Sequence, residues 1–230
     1  MSKAHSVWAI VVASGKAEKV APDADTALLP LGDKPVLAYA LQAIEAVDDI
    51  ENAVVVASKE RLESIVGMAR MYGFPKLKKL AAGGTTYATS LKAGLATLPS
   101  EASLIVLMDA SRPCVQPAMI EEVIKSAKRN NGAVTARKID DVVGLVPRGL
   151  KLTKTASVGS AWAIQSPMAF RREWLDKLFA SKGSAAKAQS DDLAFLQALT
   201  KNASMAPSTR LNPQIKTPDD LPLVSALLRG

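Results

Sequence analysis

The 230-residue chain has one cysteine and one histidine. A single thiol, Cys114, excludes an internal disulfide and a cysteine-rich metal site. It reads as a small packing residue rather than a nucleophile. His5 stands near the start of the chain, a poor position for a Ser-His-Asp triad or a histidine-based metal centre. Any metal would then be held by carboxylates, phosphates and water, a donor set that suits magnesium. Aromatic residues are only 4% of the chain, and none interleave with a basic run, so no nucleic-acid partner is expected. No apolar stretch approaches the roughly 18 residues needed to cross a bilayer, so no membrane partner is expected either. The apolar run 7–13 is too short for a signal sequence, and only Lys3 precedes it as a basic residue. The expectation is a cytoplasmic protein. The G-x-G-x-x-G and G-x-x-x-x-G-K-[ST] phosphate loops are also missing.

What is present is a globular composition. Apolar residues make up 48%, ample for one core, and residues 1–230 read as a single domain. The net charge of +7 fits either a solvated basic surface or attraction for phosphorylated ligands. Strand-like and helix-like segments alternate. Strands are expected at 7–13, 52–57, 77–81, 104–108, 132–136 and 162–165. Helices are expected at 34–47, 60–72, from Thr85 or Thr86 to 97, and at 117–130, 168–179, 191–200 and 218–228. Gly73 is a plausible stop, and Pro117 suits a first helical turn. This order predicts an α/β fold: a three-layer α/β/α, Rossmann-like, mostly parallel sheet. Residues 137–160 break the pattern with Gly144, Pro147, Gly149 and Gly159 and read as a protruding β arm.

Two strand ends attract attention. The run 104–107 leads into Met108-Asp109-Ala110-Ser111-Arg112-Pro113. A carboxylate and a guanidinium leave an interior strand together, at the edge where open α/β sheets bind ligands. Such a pair can hold a metal and a phosphate, or it can be a strand cap with a surface ion pair. The first strand ends in Ala13-Ser14-Gly15-Lys16-Ala17-Glu18-Lys19. A small, glycine-bearing loop lets backbone amides approach a ligand, and its lysines are either solvated or beside a triphosphate.

Six short blocks in order carry a resemblance. They are Leu29-Pro30-Leu31-Gly32-Asp33-Lys34-Pro35-Val36-Leu37, Gly83-Gly84 with Ser90, Asp109-Ala110-Ser111-Arg112-Pro113, Ile164-Gln165-Ser166-Pro167, Ser190-Asp191-Asp192 and Lys216-Thr217-Pro218-Asp219-Asp220-Leu221. With them the chain resembles a divergent 2-C-methyl-D-erythritol 4-phosphate cytidylyltransferase of the nucleotidyltransferase superfamily. The resemblance implies transfer of CMP from CTP to a phosphorylated acceptor, with magnesium present and pyrophosphate leaving. It places Ala13, Ser14, Gly15, Lys16, Gly84, Thr85, Ser90 and Asp109 at the nucleotide. Asp109 would contact magnesium, and Arg112 would orient the acceptor. Lys19 would stabilise the α-phosphate, and Lys216 would neutralise the transferred group. The arm, with Asp141, would complete the acceptor pocket of a neighbouring subunit in a homodimer.

The departures fall on charged positions. Lys19 stands where the family has arginine, and Asp25-Thr26 where it has proline-lysine. Tyr87, Val158 and Gln214 occupy positions of further cations, Asp141 that of a threonine and Met108 that of a histidine. Losing one preorganised donor at a developing charge costs about 3 kcal/mol, roughly a hundredfold in rate. Three such losses would approach about 9 kcal/mol if additive. The sequence therefore leaves open two alternatives to the family reaction. One is a catalytically impaired nucleotide-binding or regulatory homologue. The other is a cytidylyltransferase for another sugar or alditol phosphate.

Overall fold

The structure is a computed structural model that describes residues 6–14, 20, 25–146, 149, 151–157, 159–181, 189–201, 203–208 and 211–229. The chain opens on β1 (Ser6–Ala13), whose residues from Val7 onward are all buried. A strand that is apolar on both faces must be covered on both, and this one is. A short antiparallel pair follows, β2 (Pro30–Leu31) and β3 (Lys34–Pro35), then α1 (Val36–Glu45). Next come β4 (Ile50–Ala57), α2 (Leu62–Tyr72), β5 (Leu77–Ala82) and α3 (Tyr87–Thr97). The middle of the chain gives β6 (Ala102–Asp109), α4 (Pro117–Arg129) and β7 (Gly132–Lys138). The arm holds β8 (Gly144–Leu145) and β9 (Lys154–Thr155), paired antiparallel. The chain continues through β10 (Trp162–Arg171), α5 (Arg172–Ala180), α6 (Asp192–Thr200), β11 (Ser204–Pro207) and α7 (Asp220–Arg229).

The main sheet has seven strands in the order β11-β7-β10-β6-β1-β4-β5. β10 runs antiparallel to both of its neighbours, and the other pairings are parallel. Alternate residues of each strand supply two cores. Val7, Ala9 and Val11 meet α1, α2 and α4 on one face. Trp8, Ile10 and Val12 meet α3, α5 and α6 on the other. The expected three-layer α/β/α sheet with a β arm is therefore the observed architecture. α7 buries Val224 against Leu31, Val36, Cys114 and Ile215, so the lone thiol packs as expected, and its burial pushes its pKa up.

Four sequence expectations need correction. The helix expected over 168–179 begins at Arg172, because β10 continues through Arg171. Ser166-Pro167, a cis peptide, reads as a strand terminator, yet it sits at the register break between Gln165 and Met168. Proline is tolerated at such a break, and pairing with both β6 and β7 then overrides the local pattern. The helix expected from 34 starts at Val36, since Lys34–Pro35 pairs with Pro30–Leu31 across the Gly32 turn. The last helix starts at Asp220, two residues later than expected. Asp220 accepts hydrogen bonds from the Lys216 and Thr217 amides at 2.8 Å each, a T-x-x-D cap. β11 lacks an apolar alternation and was not legible; it is a four-residue edge strand. Elsewhere the boundaries moved little, and Thr86 rather than Thr85 caps α3 with a full capping box.

Candidate active site

The parallel register brings Val12 beside Asp109 and Ala13 beside Ala57, so three strand ends share one rim. A cleft of about 310 Å3 opens there. It is walled by Ser14 after β1, by Asp109 to Arg112 after β6, and by Tyr87 at the start of α3. Asp192 of α6, the start of β10, and Gln214 close it.

Asp109 is the most fully held side chain of the site. Its Oδ1 accepts from the Ser111 amide at 2.9 Å and the Ser111 hydroxyl at 2.6 Å. Its Oδ2 accepts from Gln214 Nε2 at 2.8 Å and lies 3.9 Å from Arg112 Nε. Arg112 donates from Nη1 to the Asn212 carbonyl at 2.6 Å. Asn212 in turn donates to the Ser166 carbonyl at 2.8 Å, and the Ser166 hydroxyl accepts from the Asp109 amide at 3.2 Å. The C-terminal segment is thus tied to the β6 loop by a closed set of hydrogen bonds. Burial pulls the Arg112 pKa down, and Asp109 opposes that shift.

The nucleotide-side residues also meet. The Ser14 hydroxyl donates to Ser90 Oγ at 2.8 Å, and the Gly84 amide donates to the same oxygen at 3.1 Å. Gly83 must be small: a Cβ there would lie 2.5 Å from Ser14 Oγ and 2.8 Å from Ser14 Cβ. Asp25 caps a turn of 3-10 helix over Thr26–Leu28 and lies 3.7 Å from Arg61 Nε. Thr26 is buried, and its hydroxyl has no partner among the described residues. Tyr87 donates its amide to Asp192 Oδ1 at 2.7 Å, while Asp191 accepts from the Ala194 amide at 2.7 Å. One aspartate of the Ser190-Asp191-Asp192 block therefore caps its own helix, and the next caps α3. Burial first, then Asp109 and Asp192, pushes the Tyr87 pKa far up, so its hydroxyl keeps its proton.

Of the residues expected at the site, Ala13, Ser14, Asp109 and Arg112 line the cleft, and Gly84 and Ser90 back it through Ser14. Thr85 and Lys216 are exposed and do not line it. The Lys216 position is a correction: its amide is engaged with the α7 cap, which turns that stretch away from the cleft, and Gln214 takes the place beside Asp109. Asp141 is exposed on the arm, away from the cleft of its own chain. Gly15, Lys16, Lys19 and Val158 lie outside the described residues. Spacing did not point to Tyr87, Asp192 or Gln214 as cleft walls. The only signal was their place in or near the resembling blocks.

A magnesium ion fits Asp109 as a single-carboxylate site. Three donors already occupy the carboxylate, two on Oδ1 and one on Oδ2. That leaves acceptor capacity on Oδ2 of a residue that lines the cleft, and magnesium commonly takes one or two carboxylates with phosphates and water. No cluster of three or more acidic, histidine or cysteine side chains exists among the described residues, so phosphates and water would complete the shell.

A carboxylate-bearing strand end, a serine-glycine edge and a helix start that converge on one rim of a mostly parallel sheet define an α/β protein with its ligand site at the carboxyl ends of its strands. Comparison with known proteins narrows this class. The family profile of IspD, 2-C-methyl-D-erythritol 4-phosphate cytidylyltransferase, matches residues 7–230, and the chain belongs to that family. A 2-C-methyl-D-erythritol 4-phosphate cytidylyltransferase of Desulforamulus reducens is 30% identical over 226 residues, 97% of this chain and 96% of the relative. One of Salinibacter ruber is 31% identical over 199 residues, 86% of this chain and 82% of the relative. The crystal structure of 4-diphosphocytidyl-2C-methyl-D-erythritol synthase from Anaerococcus prevotii superposes with a TM-score of 0.81 at 20% identity, covering 99% of this chain and 100% of that one.

Proposed function

We propose that the chain transfers CMP from CTP to 2-C-methyl-D-erythritol 4-phosphate, releasing pyrophosphate, a step of isoprenoid precursor synthesis. Family membership over nearly the whole chain supports the reaction. The observation that carries the site is Asp109, held on both oxygens beside Arg112 at the mouth of the cleft. The acceptor phosphate attacks the α-phosphorus of CTP, and the bond to the pyrophosphate oxygen breaks. Such a step needs positioning and charge stabilisation rather than a covalent intermediate. Ser14, Gly84 and Ser90 form the edge against which the nucleotide lies. Arg112 orients the acceptor, and its tie to Asn212 fixes the guanidinium before substrate arrives. Lys16 and Lys19 supply positive charge at the triphosphate. Magnesium, when bound at Asp109, adds charge neutralisation at the phosphates.

The described cleft lining has three carboxylates, Asp25, Asp109 and Asp192, against one guanidinium, Arg112. That balance makes the loop lysines and the metal more important to the rate than the wall itself. The test is pyrophosphate release from CTP with 2-C-methyl-D-erythritol 4-phosphate and magnesium. A folded sample that turns over neither this pair nor another nucleotide with it overturns the assignment.

The working unit is a homodimer joined through the arm, with Asp141 of one copy near the acceptor of the other. What supports this is the arm's unpartnered apolar surface: Val142, Leu145, Val146 and Leu152 are all exposed. Leu152→Asp should shift the dimer to monomer on sedimentation, and a monomeric wild type overturns the assembly. The enzyme works in the cytoplasm with neither nucleic acid nor membrane as partner. In support, no helix among the described residues is long and apolar enough to cross a membrane.

A further inference from the structure

Besides the two cores that cover the sheet, the protein has a third, smaller one. Its buried members are Val20, Leu31, Val36, Cys114, Ile215 and Val224. Three of these adjoin residues of the site in the sequence. Cys114 stands two residues after Arg112, Ile215 follows Gln214, and Val20 follows Lys19. Arg112 and Gln214 line the cleft, while Cys114 and Ile215 are buried. At both places the chain turns one side chain to the ligand and a near neighbour into this core.

The core has a particular task at the C-terminal segment. Residues 211–216 belong to no helix or strand, so no ladder of backbone bonds fixes Gln214. The Ile215 amide donates to the Ser111 carbonyl at 2.8 Å, and the Ile215 side chain is fully buried in the third core. That anchor stands next to the residue that donates to Asp109. α7 closes the same core. Val224 is its one buried residue, and Leu221, Leu227 and Leu228 pack half-buried against the cluster. A helix of ten residues is marginal alone in water, so α7 owes its place to this docking. Close packing makes the dependence mutual: bulk removed from one member leaves space into which the others move.

We propose that the third core is the common seat of the site's loops, and that Val224 is a positioning residue for the transfer. By closing the core it fixes Arg112, Gln214 and the chain at Val20 relative to one another. The inference rests on the proposed reaction and deepens it. Val224 touches no substrate, and its influence passes through Cys114, Ile215 and Val20.

The test pairs Val224→Ala with Val54→Ala, an equal truncation of a fully buried valine in the core on the α3 side of the sheet. Both should lower Tm by about 4–8 °C. Well below either melt, Val224→Ala should lower kcat about tenfold or more, because small displacements of positioning groups are costly, and Val54→Ala should leave it near wild type. Val20→Ala should raise KM for CTP more than KM for the acceptor. Hydrogen exchange supplies a readout that needs no turnover. Val224→Ala should speed exchange together in the peptides that contain Val20, Cys114 and Ile215, and Val54→Ala should not. Faster exchange confined to α7, or equal kinetic losses in Val224→Ala and Val54→Ala, overturns the inference. Should Val224→Ala fail to fold, Val20→Ala decides: unchanged exchange at Cys114 and Ile215 overturns it. A folded wild type without turnover overturns the reaction, and the exchange results then judge the shared seat by themselves.

Discussion

On one side of the cleft the carboxylate of Asp109 receives hydrogen bonds on both oxygens from Ser111 and Gln214. Arg112, Asn212 and Ser166 extend the same set of bonds. On the other side the Tyr87 side chain makes no hydrogen bond among the described residues and is held by contact with Phe195. The two walls fix their residues by different physics. Hydrogen bonds around a charge define angles and distances, which transfer of a phosphoryl-type group demands. Packing defines volume and polarity, which the uncharged parts of a ligand meet. Damage to the polar wall should therefore appear in rate, and damage to the apolar wall in selectivity.

The largest effect should come from Asp109→Ala. We expect kcat to fall about a thousandfold or more, with Tm lowered by about 2–4 °C because Ser111, Gln214 and Arg112 lose their common acceptor. Steady-state kinetics beside a thermal melt checks this, and unchanged turnover would break the contrast between the walls. Next is Gly83→Ala, which puts a Cβ 2.5 Å from Ser14 Oγ and pushes that side chain off Ser90. The strain should cost about 1–3 kcal/mol of stability and raise KM for CTP more than KM for the acceptor. Denaturant melts and the two KM values read these effects separately.

Gln214→Ala should lower kcat about tenfold, since Asp109 Oδ2 loses its neutral donor and with it part of its orientation. Gln214→Lys, which restores the family's cation, should preserve or raise kcat. Lys216→Ala is the control, expected to change kcat less than about threefold because that side chain does not line the cleft.

The smallest effect should be at Asp220, far from both walls. Hydrogen bonds from the Lys216 and Thr217 amides hold its pKa below the usual carboxylate value. A depressed carboxylate pKa stabilises the fold above the unfolded-state value near pH 4, and the contribution is lost as pH falls through the lower folded-state value. Asp220→Asn should lower Tm by about 1–3 °C at neutral pH, and the difference should disappear in strong acid. A pH series of melts on both proteins checks the sign.

Much of this molecule was legible before its structure. The unbroken apolar runs of β1, β4 and β6 can be satisfied only as strands covered on both faces, and they are the centre of the sheet. Gly73 stops α2 in a left-handed conformation, as its place after an amphipathic stretch implies. Asp109 and Arg112 were legible as a candidate pair because they leave a buried strand at the edge where open α/β sheets bind ligands, although a strand cap with a surface ion pair fitted the same residues. The strand expected over 162–165 is the start of β10, but its continuation through Arg171 and all of β11 were not legible. Pairing partners remote in sequence decide both, and local periodicity carries no trace of them. Tyr87 and Gln214 were singled out only through the resemblance, as positions where the family has cations, and Asp192 only within a block; that all three wall the cleft was not legible for the same reason.

The sequence by itself determined the layering, because alternation of apolar strands with amphipathic helices leaves few ways to bury both. It also determined the chemistry's centre, through a block that carries an acid and an arginine at one strand end. Only the tertiary structure decided which side chains face each other across the cleft. It put Gln214 rather than Lys216 beside Asp109 and brought Tyr87 into the wall with Ile164. Periodicity is a property of neighbours in the chain. A site is made by residues remote in the chain, Asp109 and Gln214 being 105 positions apart, and folding alone brings them together.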